Sequence, residues 1–350
     1  MNKRLDYLDS IRGIAALIVV ISHIFKRFVE HNDVNYPLLT FLFESLDLGR
    51  VGVIVFFIAS GFVIPWSLKH DYPHALKAFA IKRFFRLYPA YWLSIIAAVV
   101  IGIDNEVISI ERILFNLTMI QKVFGSDSII GVYWTLFIEL IFYVICACLF
   151  YFRLLHKNKC LIISLVLFSL GAVGSSVLTY YYHIRIPLML PQGLAVMFYG
   201  SLLCNYFIKK QVELKKPLII LTIFYFMSLF IAQNIYYSDN WLIFFSSHLI
   251  AFFVFFLLIT KVKLHNSLAV YLGRISYSWY LLHILIVKAV FSLFGDFAFT
   301  TLGFYLVIAT VLIGSILIAD ISYRLIEKPG VRIAIKVVNY FGFNRNKVTT

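Results

Sequence analysis

Apolar runs of about twenty residues recur along the chain, near 11–29, 50–68, 86–103, 129–152, 161–179, 188–207, 217–234, 240–260, 275–294 and 302–322. Each is long enough to cross roughly 30 Å of hydrocarbon as an α-helix. Polar and charged positions concentrate between the runs, so the pattern predicts an all-α polytopic membrane protein of about ten transmembrane helices. The first run has a basic start (Lys3, Arg4) and a short apolar core, as a signal peptide has. It continues into Ser22, His23, Lys26 and Arg27 rather than a small-residue cleavage site, which predicts a retained first helix.

Composition agrees with the pattern. With 62% apolar, 18% aromatic and 14% charged residues and a mean hydropathy of +0.90, the chain has too little polar surface to cover a soluble globule. Charge then orients it. With the N-terminus inside, most of the 31 Lys and Arg residues fall in cytoplasmic segments, and each inner segment is richer in them than its outer neighbours, except the first, which ties. Both termini are therefore expected in the cytoplasm of a multi-pass membrane protein. The net charge of +14 follows from topology and calls for no nucleic acid partner. Cys146, Cys148, Cys160 and Cys204 all lie in spans or on the inner side, which implies neither a disulfide nor a zinc site. No low-complexity tract, internal duplication or appended soluble domain is visible. Residues 1–335 read as one integral membrane domain and residues 336–350 as a basic cytoplasmic tail.

Candidate chemistry comes from polar residues inside the runs. Arg12 and His23 are eleven positions apart, which returns both to one helix face about 16 Å apart along the axis. Ionisable groups in hydrocarbon are costly, so such a pair points to function. Glu139 lies deep in YWTLFIELIFYV with no basic neighbour in sequence and needs a proton or a partner from another helix. His248 and His283 read equally well as neutral structural histidines or as site residues. Lys288 can reach the outer interface, and Asp320 is four residues before Arg324, spacing for an ion pair. Between the second and third runs, KAFAIKRFFRLYPAYW brings Lys82, Arg83 and Arg86 together among aromatic residues, a cluster suited equally to phosphates or to anionic lipid. Pro89 predicts a fixed bend that holds the arginines at a helix entry.

LDSIRGIAALIVVISH, GVIVFFIASGF at 52–62, KRFFRLYPAYW at 82–92, WTLFIEL at 134–140, GRISYSWYLLH at 273–283 and YRLIEKP at 323–329 stand in this order along nearly the whole chain. Together they resemble the bacterial acyltransferase 3 family of membrane-bound O-acyltransferases. The resemblance implies a ten-helix domain that takes an acyl group, most often acetyl, from cytoplasmic acyl-CoA and places it on a hydroxyl of a cell-envelope glycan or related acceptor. It also implies that Arg12 and His23 are the essential pair of the first helix, Arg83 and Arg86 the RxxR cluster facing the donor, and Glu139 the acidic residue of the fourth span. Family members commonly carry two consecutive acidic residues here, whereas Leu140 follows Glu139 in this chain. Without an esterase-like domain, the chain resembles the stand-alone type.

The chemistry required is consistent with that resemblance. Acyl transfer needs a base at the attacking hydroxyl, an electrophilic thioester and a means of holding the oxyanion. His23 is the expected general base or transient acyl carrier, with Glu139 orienting it or stabilising its imidazolium; Arg12 contacts the donor or its thioester region, Arg83 and Arg86 hold its phosphates, and Lys82 joins them in donor binding. Further candidates are Ser60, Tyr133, Trp134, Arg274, Ser276 and Tyr277, together with His248 and His283. The expected partners are acyl-CoA as donor substrate, an envelope glycan or lipid-linked saccharide as acceptor, and membrane lipid, with no tightly bound cofactor or metal. The rival reading is a proton-coupled transporter or exporter of a saccharide, in which His23, Glu139, His248 and His283 relay protons or bind sugar near the midplane.

Overall fold

A chain whose apolar runs each match one bilayer can satisfy its backbone in hydrocarbon only by folding as helices, and a computed structural model shows that arrangement. It describes residues 6–30, 46–68, 74–102, 108–262 and 266–343, with positions 38, 41 and 42. Lys3, Arg4 and the last seven residues of the expected tail lie outside the described residues. Among the described residues twelve α-helices run in order: α1 Asp6–Val29, α2 Leu48–Ser67, α3 Ala75–Ile101, the short α4 Ile110–Leu117, α5 Tyr133–Tyr151, α6 Asn158–Tyr182, α7 Met189–Phe207, α8 Lys215–Tyr237, α9 Trp241–Leu257, α10 Ser267–Phe294, α11 Thr301–Ser322 and α12 Lys328–Tyr340. A π-helical turn, Tyr323–Glu327, links the last two, and no strand occurs among the described residues.

Each of the ten expected spans coincides with one long helix. Among the described residues eight segments are long and apolar enough to cross a membrane, and one of them, Val212–Thr260, contains both α8 and α9. Helix α7 is absent from that set because it carries Gln192, Ser201 and Asn205, all buried in the middle of the bundle. The outer helices α6 and α8 instead expose Ile163, Leu167, Ile219, Ile220 and Ile223, as lipid-facing helices do.

Two helix pairs form the centre. In α1 and α10, Gly13 and Gly273 face each other's backbones: a Cβ on Gly273 would lie 1.8 Å from the Asp9 carbonyl oxygen, and one on Gly13 would lie 2.6 Å from that of Ala269. The missing side chains let the two backbones touch, the small-residue packing favoured where helices associate in lipid. The helices run parallel, since Phe28 meets Phe291 one end up from the Gly13–Gly273 contact. Helices α2 and α7 approach in the same way at Gly61 and Gly200.

The third helix departs from expectation. The apolar run suggested a start near 86, but α3 begins at Ala75 and carries Lys82, Arg83 and Arg86 within a helix rather than in a loop; Pro89 sits inside it without ending it. A proline at 89 leaves the Phe85 carbonyl without its usual amide donor. That carbonyl is where α12 closes in, because a Cβ on Gly330 would lie 2.4 Å from it. The expected boundary between residues 335 and 336 falls inside α12.

Candidate active site

The polar residues of the bundle sort into two levels along α1. At the Arg12 level, Arg12 from α1, Ser60 from α2, Thr135 and Glu139 from α5, and Ser276, Tyr277 and Tyr280 from α10 line one narrow cavity of about 40 Å³. That volume holds a few waters. Glu139 accepts hydrogen bonds from Tyr143, one turn along its own helix, at 2.6 Å and from Ser60 at 3.2 Å. Arg12 and Arg86 interact electrostatically with the same three carboxylates, those of Glu139, Glu327 and Asp9. Charges removed from water persist only with such compensation.

Glu327 was not singled out by the sequence, although YRLIEKP contains it. The last apolar run ends at 322, which placed Glu327 beyond the membrane. The helix instead continues through the π-turn, leaving Glu327 buried, where it accepts a hydrogen bond from Ser278 at 3.1 Å.

Beside this cluster lies a basic cavity of about 310 Å³ lined by Ser67, Lys82, Arg83 and Arg86, with Val331, Ala334 and Ile335 of α12 as its far wall. The Arg83 guanidinium donates to Ser67 at 3.0 Å and stands over the rings of Phe79 and Tyr143, 5.2 and 5.1 Å from their centroids. All three residues expected to bind a donor thus share one cavity. A larger cavity of about 580 Å³ between α3 and α5 is lined by apolar side chains, with Arg83 and the Tyr143 and Tyr88 rings at its edge. Its size reflects the gap between two helices and not a concentration of reactive groups.

At the other level stand His23 and His283, in ring contact at 5.0 Å between centroids and 68° between planes. His23 Nδ1 donates to the Val19 carbonyl at 2.9 Å, and His283 Nδ1 donates to the Tyr280 carbonyl at 2.8 Å. A carbonyl only accepts, so both neutral rings carry their proton on Nδ1, and each Nε2 keeps its lone pair. His283 Nε2 is buried with no hydrogen-bond partner among the described residues.

The expectation that Glu139 orients His23 is corrected here. Glu139 belongs to the Arg12 level, and the side chain meeting His23 comes from α10. The levels connect through Tyr280, which lines the narrow cavity, shares a hydrogen bond with Thr135 at 2.8 Å, and lies 5.9 Å ring to ring from His283.

The remaining candidates divide. Ser60, Ser276 and Tyr277 line the narrow cavity, and the Tyr277 hydroxyl also donates to the Leu87 carbonyl at 2.9 Å, fixing α10 against α3. Tyr133 is buried against Tyr91 and shares a hydrogen bond with Ser94 at 2.7 Å, and Trp134 packs on Phe57, both structural roles. Arg274 is exposed. His248 is buried on α9, where its Nδ1 donates to the Phe244 carbonyl at 2.8 Å and its ring rests near Tyr225, apart from the other histidines. Asp320 pairs with Arg324 at 2.7 Å, as the spacing predicted. Among the described residues no group of three His, Cys, Asp or Glu side chains could hold a metal.

Comparison with known proteins shows which family the chain is similar to. A family model described as "Acyltransferase domain" matches residues 5–320. Proteins of Staphylococcus aureus strains COL and N315, each named "Putative O-acetyltransferase", are 24% identical to the chain over 377 aligned residues, covering 95% of it and 58% of their own length. The chain therefore spans somewhat over half the length of these relatives. A protein of Streptomyces mycarofaciens named "Acyltransferase MdmB" is 34% identical over 99 residues, 28% of this chain and 24% of its own. No solved structure matches.

Proposed function

Because the chain belongs to the acyltransferase 3 family, we propose that it is a membrane O-acyltransferase that moves an acyl group, acetyl in the simplest case, from cytoplasmic acyl-CoA to a hydroxyl of a cell-envelope saccharide. The observation that carries this reading is the division of α1: a basic cavity and a compensated arginine cluster at one level, a histidine whose Nδ1 is committed to backbone at the other.

In this reading the Arg12 end faces the cytoplasm of a bacterial inner membrane, in keeping with its share of Lys and Arg. Lys82, Arg83 and Arg86 hold the CoA phosphates; arginine suits this because its fork of N–H donors matches phosphate oxygens. The pantetheine arm enters the narrow cavity beside Arg12, whose guanidinium contacts the donor there, and carries the thioester on to the His23 level. His23 Nε2 takes the proton of the attacking hydroxyl as that oxygen bonds to the carbonyl carbon. The carbon–sulfur bond then breaks, and the thiolate recovers the proton as free CoA. The cavity near Arg12 is narrow, so side chains there must move aside to admit the pantetheine arm.

The test is the release of free thiol from acetyl-CoA by the purified chain, with and without saccharide extracted from the envelope, followed by mass analysis of that saccharide. Thiol release with a gain of one acyl mass supports the assignment. Intact acetyl-CoA overturns it in favour of transport, since a transporter has no reason to consume a thioester.

A further inference from the structure

Resting on that reading, we infer that His283 is a second member of the base: the proton His23 takes from the acceptor hydroxyl is shared with His283 Nε2 before it reaches the leaving sulfur. Geometry supplies the argument. The two imidazoles touch edge-on at 5.0 Å between centroids, a separation that admits a nitrogen-to-nitrogen hydrogen bond of about 3 Å after a small tilt of either ring. Each ring has its Nδ1 proton committed to a carbonyl of its own helix, which leaves only the two Nε2 atoms to exchange a proton. His283 Nε2 is buried and unpartnered, a condition that costs free energy unless the atom is used.

The surroundings favour holding a shared proton. Parallel packing of α1 against α10 through Gly13 and Gly273 fixes the ring separation. From α11, Ser315 accepts a hydrogen bond from Trp279 at 2.8 Å and so fixes the turn that carries His283. The charged groups acting on His23 are Lys26 on its own helix, Glu30 just beyond that helix and Asp47 ahead of α2, and no carboxylate among the described residues bonds to either ring. When the hydroxyl O–H bond breaks and its oxygen joins the carbonyl carbon, the new imidazolium on His23 donates to the His283 lone pair. The carbon–sulfur bond then breaks with its electron pair going to sulfur, and the shared proton completes the CoA thiol.

The experiment follows thiol release from acetyl-CoA by the full-length chain in detergent, with a methyl glycoside as hydroxyl acceptor. A single hydrogen bond to a charged ring corresponds to a kcat loss of about ten- to a hundredfold for H283F, with H283Q, whose amide oxygen still accepts, falling between H283F and the parent. KM for acetyl-CoA stays unchanged in both. In the unsubstituted protein, kcat plotted against the fraction of heavy water bows downward, the signature of two protons in flight. A straight plot, or H283F turning over at the parent rate, overturns the inference while leaving acyl transfer standing. Absence of thiol release from the unsubstituted protein overturns the acyltransferase reading itself. The heavy-water measurement needs no variant, so misfolding of H283F does not shield the inference.

Discussion

The two levels of α1 solve opposite electrostatic problems. Around Arg12, two guanidinium groups and three carboxylates are gathered from α1, α3, α5 and the π-turn, each charge compensated by its neighbours. Around His23 the ring partner is another imidazole, and among the described residues both rings hydrogen-bond through Nδ1–H to backbone carbonyls. Fixed charge suits the place where an anionic donor docks, because its phosphates add to an existing field. Neutral, paired rings suit the place where a proton must arrive and leave within one turnover. Binding and proton transfer are thus separated by about 16 Å on one rigid helix.

The sharpest break would come from His23→Gln. Loss of a general base lowers kcat by about 10²–10⁴-fold, while acetyl-CoA binding, read by calorimetry, stays as in the parent. Arg86→Ala comes next and strikes the other level: removing a charge-assisted contact corresponds to about 1.5–3 kcal/mol, a ten- to hundredfold rise in KM for acetyl-CoA, with kcat changed far less. Gly273→Ala attacks the scaffold between the levels. Its Cβ has no room beside the Asp9 carbonyl, so α1 and α10 must separate, lowering stability by about 1–3 kcal/mol in thermal unfolding and loosening the His23–His283 contact. Glu327→Gln gives a smaller change, a few-fold in KM, because Glu139 and Asp9 still face Arg86. Asp320→Asn, which removes a surface pair with Arg324, leaves thiol release unchanged.

Much of this arrangement was legible in the residues. Ten apolar runs named ten helices because one bilayer thickness dictates one helix length, and the shared face of Arg12 and His23 followed from helical geometry alone. The basic cluster of Lys82, Arg83 and Arg86 was legible as a binding group, but its setting was misjudged. Hydropathy excluded the charged turns from the third span, although helix α3 runs through them with α12 packed alongside. The partner of His23 was out of reach, since α1 and α10 are some 260 residues apart in sequence and periodicity says which face a side chain takes, never which helix meets it. Glu139 stands out in the sequence instead, as a carboxylate deep in an apolar run with no basic neighbour. Glu327 was missed for a simpler reason: the apolar signal stops before the helix does.

The account is tested most directly by measuring kcat and KM for acetyl-CoA in one thiol-release assay on the His23→Gln and Arg86→Ala proteins. Separate levels predict that the histidine variant loses kcat with KM intact and the arginine variant loses KM with kcat nearly intact. If both substitutions changed the same constant to the same degree, the two levels would be one site and the division of labour along α1 would be wrong.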